Sequence, residues 1–227
     1  MGIELPQCKL VYGRYFPFWD KLTDEQRERL CANTAELKYR KGMNIHGTDD
    51  SCTGAIMVIS GSLRAYLLSE NGKEITLYRF KKGEVCMLSA SCVLRSITFD
   101  VVIDAEEDSE IYVVRGDIMA QVASENLYVE NYALDNAVKS FSDVVWVMQQ
   151  IMFLSLDKRL AVFLWDESVR NGSSRITLTH EQIAKYISSA REAVTRMLRY
   201  FANEGIVEVT RRGINIIDKE KLRALTA

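Results

Sequence analysis

"LTHEQIAKYISSAREAVTRMLRYFANEGIVEVTRRGINIID", residues 178–218, is the most informative segment of this sequence. Thr179 and Gln182 have the spacing of a capping box, which predicts a short helix that begins directly after the threonine. Ser189 and Glu192 repeat this spacing and predict a second, longer helix after a tight turn. Two helices joined by so short a turn form a helix-turn-helix.

The same segment continues as a hairpin. Gly205 ends the second helix, because glycine readily adopts the left-handed conformation that a helix end requires. Two β-rich runs follow, residues 206–210 and 214–217, and they are joined by a turn that contains Arg211 and Arg212. The hairpin predicts a wing with two arginines at its tip.

The second helix has one apolar and one polar face. Helical spacing groups four residues of the buried type, Val194, Met197, Leu198 and Phe201. The opposite face carries Arg191, Glu192, Thr195, Arg196 and Arg199. Any amphipathic helix has charge on its solvated face, but the two capping boxes, the turn and the wing in this order favour a surface that reads DNA.

The residue types on this polar face suit the edges of base pairs. Arginine can bond guanine O6 and N7, glutamate can accept from cytosine N4, and threonine can contact a thymine methyl or a phosphate. We therefore predict base contacts by Arg191, Glu192, Thr195 and Arg196. Contacts to the DNA backbone, which add salt-dependent affinity, are predicted for Thr179, Ser189, Arg199, Arg211 and Arg212.

Upstream, residues 1–123 are predicted to form an antiparallel β-roll, which makes the fold class α+β. Short β-rich runs alternate with turn signals between residues 36 and 114. Gly61, Gly72 and Gly83 lie eleven residues apart, the rhythm of strands that turn back and forth in a compact barrel or roll. Asn71-Gly72 predicts a hairpin with a type I′ turn, whose two central residues need positive φ.

A long helix is predicted over residues 124–154. Its apolar residues recur at alternating steps of four and three and form one stripe, which consists of Leu134, Val138, Phe141, Val145, Met148 and Met152. Such a helix can pack on its own domain, but the length of this apolar stripe favours a seam between the two subunits of a homodimer. Ser155 is predicted to cap the next helix and to act as a hinge before a DNA-binding head, residues 155–227.

Composition narrows the class of protein. The 227 residues carry 29 Lys and Arg against 31 Asp and Glu, which argues against a general polyanion binder. From Arg175 onward, ten basic residues stand against six acidic ones, so only the C-terminal part is basic. The longest apolar run, residues 144–154, is too short to cross a membrane, so we expect no membrane association.

The cysteines indicate a reducing compartment. The five cysteines contain no CxxC pair, and we find no signal peptide ahead of them. We therefore expect no disulfide framework and a cytoplasmic protein.

Residues 178–218 resemble the winged helix-turn-helix of the Crp/Fnr family of bacterial transcription regulators. The recognition helix of that family carries a pattern close to R-E-x-V-[GST]-R, which is matched by Arg191, Glu192, Val194, Thr195 and Arg196. The resemblance covers most of the chain, because the family also has an N-terminal β-roll and a long dimerisation helix, with "FLSLDKRLAVFL" at the hinge. The resemblance implies a homodimer that binds a two-fold symmetric site on double-stranded DNA, with RNA polymerase as a further partner. The pattern of the recognition helix is closer to the Fnr-like branch of the family.

The resemblance also indicates where an effector would bind. Family members that bind cyclic AMP carry a G-E-[LIV]-[GA] turn followed by an Arg-Ser pair that holds the phosphate. Gly83-Glu84-Val85 resembles the start of this turn, and Arg95-Ser96 is a candidate for the pair. Register from the downstream stretch "AEEDSEIYVV" instead places Phe99 and Asp100 at the pair, where an acid repels phosphate. We therefore expect an unknown small-molecule or redox signal, with a cyclic nucleotide as the alternative. The candidate effector residues are Gly83, Glu84, Val85, Cys86, Cys92, Arg95, Ser96, Phe99 and Asp100.

Other sensing cofactors find little support in the sequence. Cys86 and Cys92 could form a redox pair or could simply be small core residues. Cys8 stands alone near the N-terminus, so no iron-sulfur ligand set is evident. His46 is the one histidine of the sensor half, so no haem ligand set is evident either.

Enzyme motifs are also missing. His180-Glu181 begins like the helix of a zinc protease, but Ala184 stands where the second histidine should be. Neither GxGxxG nor GxxxxGK[ST] occurs. We therefore expect no catalytic residue and no metal site.

Overall fold

The computed structural model describes residues 5–47, 53–87 and 101–226. In these ranges the helices are α1 (Leu5–Tyr15), α2 (Asp24–Ala32), α3 (Gly116–Glu125), α4 (Leu127–Phe153), α5 (Leu156–Asn171), α6 (His180–Tyr186), α7 (Arg191–Asn203) and α8 (Lys219–Ala224), with a 3₁₀ turn at Trp19–Lys21. The strands are β1 (Thr34–Tyr39), β2 (Asn44–His46), β3 (Ala55–Ser60), β4 (Ser62–Leu68), β5 (Glu74–Lys81), β6 (Val85–Cys86), β7 (Val102–Ala105), β8 (Ser109–Val114), β9 (Arg175–Ile176), β10 (Val207–Thr210) and β11 (Gly213–Ile216). The chain divides into two compact units, Met1–Leu68 with Leu77–Val144 and Ser69–Thr76 with Val145–Ala227.

The predicted β-roll is confirmed in the first unit. Two four-stranded sheets have the orders β1-β8-β3-β6 and β2-β7-β4-β5. Neighbouring strands such as β1 with β8 and β4 with β7 are antiparallel. Gly61, Gly72 and Gly83 all have φ between 75 and 95°, a backbone conformation that favours glycine. The regular glycine spacing therefore does mark the turns of the roll.

The hairpin between β4 and β5 is confirmed, but its predicted type I′ turn is wrong. Gly72 has positive φ, whereas Asn71 does not. The amide of Ser69 donates to the carbonyl of Lys73 at 2.9 Å, so three residues form the loop. A loop of this length needs one left-handed residue, and glycine supplies it.

Helix α1, which the sequence analysis did not predict, packs with α2 against the roll. Cys8, Tyr12 and Phe16 recur every four residues along and just after α1 and are almost fully buried. They share a core with Leu30 of α2 and with residues of α3 and β8. The four-residue spacing was the available signal for α1.

The expectation that the cysteines form no disulfide is wrong for one pair. Cys8 of α1 and Cys31 of α2 form a disulfide with a Cα–Cα distance of 5.7 Å. The two residues are 23 positions apart, and only the packing of α1 on α2 brings them within bonding range.

The long helix is confirmed, with a different start. Ser124 belongs to α3, and α4 begins at Leu127 after a break at Asn126. The side-chain carbonyl of Asn126 accepts from the amide of Tyr128 at 3.0 Å, so it satisfies an amide at the start of α4. Ser155 occupies the N-cap position of α5 as predicted, although its side chain makes no capping bond. No helix in the described part of the chain is long and apolar enough to span a membrane.

The second unit has its own apolar core. Buried side chains from α5, α6, α7, α8 and the three-stranded sheet β10-β11-β9 meet in one cluster. The predicted wing is confirmed as β10 and β11, whereas the short strand β9 was not predicted. Gly172 has φ 60°, a left-handed conformation that favours glycine, and it is the C-cap residue of α5.

Candidate nucleic-acid interface

The first capping box is confirmed and fixes the start of α6. The hydroxyl of Thr179 accepts from the amide of Gln182 at 3.1 Å, and the Gln182 side chain accepts from the amide of Thr179 at 2.9 Å. Two amides that the helix start would leave unpaired are thus satisfied. Thr179 is exposed, so its predicted contact with the DNA backbone stays a prediction.

The second predicted capping box, Ser189 with Glu192, is wrong. The N-cap of α7 is Ala190, and the helix begins at Arg191. Ser188 is left-handed with φ 53°, and the amide of Ser189 donates to the carbonyl of Ala184 at 2.9 Å. This is the Schellman arrangement that ends a helix, so Ser189 belongs to the end of α6.

A half-buried arginine supports this turn. Arg159 of α5 donates from Nη1 to the carbonyl of Ile187 at 3.0 Å. Ile187 is the C-cap residue of α6, so the bond ties the turn between the two helices to α5. The sequence analysis did not assign Arg159 a role, since its partner lies in another helix.

The two faces of α7 are as predicted. Val194, Leu198 and Phe201 are buried with no exposed surface, and Met197 packs against the same cluster. Arg191, Glu192, Arg196 and Arg199 are exposed, and Thr195 is half-buried. Among the described residues no ion pair engages these four charged side chains. They are therefore available to an external partner.

The wing stands beside the start of α6. Arg211 and Arg212 form its exposed tip, and the amide of Arg212 donates to the hydroxyl of Thr210 at 3.2 Å. An open cavity of about 280 Å³ lies between the wing tip and the start of α6, and its lining includes Thr179 and His180. This concave surface brings two arginines and an exposed helix start together, an arrangement that suits a phosphate backbone.

His180 contacts the recognition helix directly. Its Nδ1 lies 3.0 Å from the hydroxyl of Thr195, and that hydroxyl donates to the carbonyl of Arg191 at 2.9 Å. Burial lowers the pKa of His180, and the cationic Arg191 and Arg199 lower it further. The sequence analysis considered His180 only as a zinc ligand, because its partner is fifteen residues away.

The apolar stripe of α4 is largely uncovered in the single chain. Phe141 is 70% exposed, Val138 66% and Met152 67%, and Leu134 and Met148 are also exposed. Val145 is half-buried. So many large apolar side chains on one helix face are typical of a protein–protein interface.

The candidate effector residues are only partly described. Glu84 is exposed, and its carboxylate accepts from the amide of Lys81 at 2.8 Å. Gly83 lies in the preceding turn, Val85 is half-buried on β6, and Cys86 is buried there. Cys92, Arg95, Ser96, Phe99 and Asp100 lie outside the described residues. In the described ranges, no group of three His, Cys, Asp or Glu side chains could hold a metal ion.

These features define a class of protein. A β-roll unit, a long helix with an uncovered apolar stripe and a winged helix-turn-helix with a cationic reading face together make a DNA-binding regulator. The sequence pattern of the Crp-like helix-turn-helix domain matches residues 158–225, and that of the cyclic nucleotide-binding domain matches residues 36–126.

Known proteins resemble most of the chain. A crystal structure described as a transcriptional regulator of the Crp/Fnr family from Eubacterium rectale is 42% identical, with a TM-score of 0.87 over 93% of this chain and 98% of that one. The transcriptional regulator Flp of Lacticaseibacillus casei is 24% identical over 91% of this chain and 94% of its own length. FixK2 from Bradyrhizobium japonicum shares the fold, with a TM-score of 0.72, 21% identity and coverage of 86% and 98%.

The chain belongs to the Crp/Fnr family of transcriptional regulators. It combines a sensor domain of the cyclic nucleotide-binding type with a helix-turn-helix DNA-binding domain.

Proposed function

We propose that this regulator acts as a homodimer in the cytoplasm and that its affinity for one DNA sequence is set by a signal sensed in the β-roll. The three segments are the β-roll (1–123), the dimerisation helix (124–154) and the head (155–227). A signal shifts the packing of the two α4 helices, and the hinge at Ser155 passes this shift to the heads. The two recognition helices then reach the spacing of successive major grooves, about 34 Å. The protein has no catalytic function of its own.

The uncovered polar face of α7 carries this proposal. Arg191, Glu192 and Arg196 occupy the N-terminal half of a helix whose other face is fully buried. In helix-turn-helix proteins this half of the recognition helix meets the base edges. We assign base reading to Arg191, Glu192, Thr195 and Arg196, and backbone contacts to Thr179, Ser189, Arg199, Arg211 and Arg212.

The experiment is a selection of binding sites from random duplexes with the purified full-length protein. We expect a two-fold symmetric site whose half-site centres are about 10 base pairs apart, because a dimer presents two α7 helices to successive turns of the DNA. The mass of the complex should correspond to two chains per duplex. Selection of a single, unrepeated half-site would contradict the dimeric mode of binding.

The apolar stripe of α4 supports the dimer and offers a matched pair of variants. Phe141→Asp places a charge on the stripe, whereas Ser142→Asp places the same charge on the neighbouring, exposed position about 100° around the helix. Sedimentation at micromolar concentration should give a monomer for Phe141→Asp and a dimer for Ser142→Asp. Equal masses for both variants would contradict the assignment of α4 to the dimer interface.

The effector has two candidate chemistries. We favour an unidentified small molecule or a redox change, because Asp100 is predicted to stand where a phosphate would bind. The match of residues 36–126 to the cyclic nucleotide-binding domain supports the alternative. A thermal-shift measurement with cyclic AMP separates them, because a ligand that binds the native state raises its melting temperature. Clear stabilisation by cyclic AMP would favour the cyclic nucleotide. An unchanged melting temperature would favour the unidentified small molecule or the redox change. RNA polymerase is a further proposed partner, as the family resemblance implies.

A further inference from the structure

Thr195 is one of the four proposed base readers, and its hydroxyl already makes two hydrogen bonds within the protein. A threonine hydroxyl has a single proton, and this one is donated to the carbonyl of Arg191 at 2.9 Å. The contact of 3.0 Å with His180 Nδ1 must then run the other way, with the ring donating and the hydroxyl accepting. The bonding network thus assigns the proton of His180 to Nδ1.

These two bonds leave Thr195 little polar capacity for a base. The hydroxyl proton is donated to the carbonyl of Arg191, so it is not available to a base. A donor on the DNA would have to share the hydroxyl oxygen with the His180 ring. Threonine in a helix divides between two χ1 rotamers, because its hydroxyl can bond the carbonyl one turn back. The bonds to Arg191 and His180 both select the same rotamer, so the methyl group has one fixed position.

From this geometry we infer that Thr195 reads DNA with its methyl group, by contact with the 5-methyl of a thymine, and that His180 is the positioning residue that holds the methyl in place. The inference rests on the proposed function, since it requires α7 to lie in the major groove. Among the base-edge groups there, the thymine methyl is the one that an apolar side-chain group can recognise.

The surroundings of His180 fit a positioning role. The ring is half-buried between α6 and α7, and it lines the cavity beside Arg211 and Arg212 of the wing. Burial lowers the pKa of His180 and the cationic Arg191 and Arg199 lower it further, so the surroundings favour the neutral ring. A neutral ring with its proton on Nδ1 is the form that donates to Thr195 without adding a charge.

Deoxyuridine provides the test, because it lacks only the 5-methyl of thymine. In the site selected by the wild-type protein, each thymine is replaced in turn and the affinity is measured at fixed salt and pH. At one position in each half-site we expect the replacement to weaken binding about fourfold, the effect of removing one buried methyl group. No such position would overturn the inference.

Two variants of Thr195 separate the methyl from the hydroxyl. Thr195→Ser keeps the hydroxyl and should lose the difference between thymine and deoxyuridine, whereas Thr195→Val keeps a methyl and should retain it. The reverse pattern would mean that the hydroxyl reads the base, and it would overturn the inference.

Variants of His180 test the positioning role. His180→Ala should reduce the discrimination at this one position of the site more than at any other position. His180→Asn should restore it, because the asparagine amide can donate from near the place of Nδ1. Unchanged discrimination in a folded His180→Ala would overturn the role. A wild-type protein that selects no sequence at all would overturn the proposed function itself, which separates the two failures.

Discussion

The helix-turn-helix of the head and the sheets of the β-roll are specified by contacts of very different sequence separation. In the head, the cap of α6 joins residues three positions apart, and the turn behind it is closed by Ser189 and Ala184. In the roll, β1 pairs with β8 at the other end of the unit, and Cys8 is bonded to Cys31 across two helices. Local interactions therefore specify the start of α6 and the turn that follows it, whereas the sheets of the roll form only when distant segments meet.

This difference extends to function. The head presents its proposed chemistry on one helix and one hairpin, so residue types and spacing describe the surface well. The roll must assemble any effector site from several strands and loops, so single residues such as Glu84 and Cys86 say little alone. Substitutions in one region should therefore leave the stability of the other region unchanged.

The largest effect is expected in the core of the head. Phe201 has no exposed surface, so Phe201→Ala should lower the free energy of unfolding of the head by about 3–5 kcal/mol. Hydrogen exchange measured by mass spectrometry should speed up in α5 and α7. Tyr200→Ala is the control, because Tyr200 is 52% exposed and its loss should cost less than about 1 kcal/mol. Equal losses in the two variants would contradict the assigned packing.

The disulfide gives the matching change in the roll. Reduction of the Cys8–Cys31 bond should lower the free energy of unfolding of the first unit by about 3 kcal/mol, since the bond closes a loop between residues 23 apart. Hydrogen exchange should speed up in α1 and α2 and stay unchanged in α7. The double variant Cys8→Ser with Cys31→Ser is the control, and reductant should not affect it. Peptide mapping that finds both thiols free in the oxidised protein would contradict the pairing.

The elements that the sequence predicted correctly are those with local physical causes. Thr179 and Gln182 lie within one turn of helix, and Gly205 ends α7 through its own backbone conformation. The sheet was predictable as a class because Gly61, Gly72 and Gly83 mark its turns, although α1 and the disulfide depend on tertiary packing.

The errors have physical causes as well. Ser189 matches a capping box in sequence, but its amide is needed to end α6 after the left-handed Ser188. Asn71-Gly72 matches a type I′ turn, but a three-residue loop needs only the glycine. The contact between His180 and Thr195 could not be predicted, because it depends on the angle between two helices.

The two capping positions offer a third, smaller test. Thr179→Ala removes a side-chain cap and should cost about 1 kcal/mol of stability in the head. Ser189→Ala should cost less than about 0.5 kcal/mol, because Ser189 caps no helix. Chemical denaturation of the two variants measures both values. A larger loss of stability for Ser189→Ala would indicate that Ser189 caps α7 after all, as the sequence predicted.

The smallest effect concerns His180. Removal of a neighbouring cation by Arg199→Ala should raise the pKa of His180 towards its ordinary value, since Arg199 disfavours the imidazolium. The chain has two histidines, so the ring protons can be followed by NMR and assigned with the variant His180→Asn. Because the folded state lowers the pKa of His180, this group should cost stability as the pH falls below about 6.5. An unchanged pKa of His180 in Arg199→Ala would contradict the electrostatic effect of Arg199 on the imidazole.

The central claim is that α7 reads bases while the wing holds the backbone, and two alanine variants test it most directly. The quantity to measure is the ratio of affinities for the selected site and for random DNA, at one salt concentration. Arg196→Ala should lower this ratio about tenfold or more, because a lost contact to a base edge costs about 1–3 kcal/mol. Arg212→Ala should weaken both affinities alike and leave the ratio unchanged, and Arg40→Ala, an exposed arginine of the roll, should change neither. Equal losses on both DNAs for Arg196→Ala and Arg212→Ala would contradict the account.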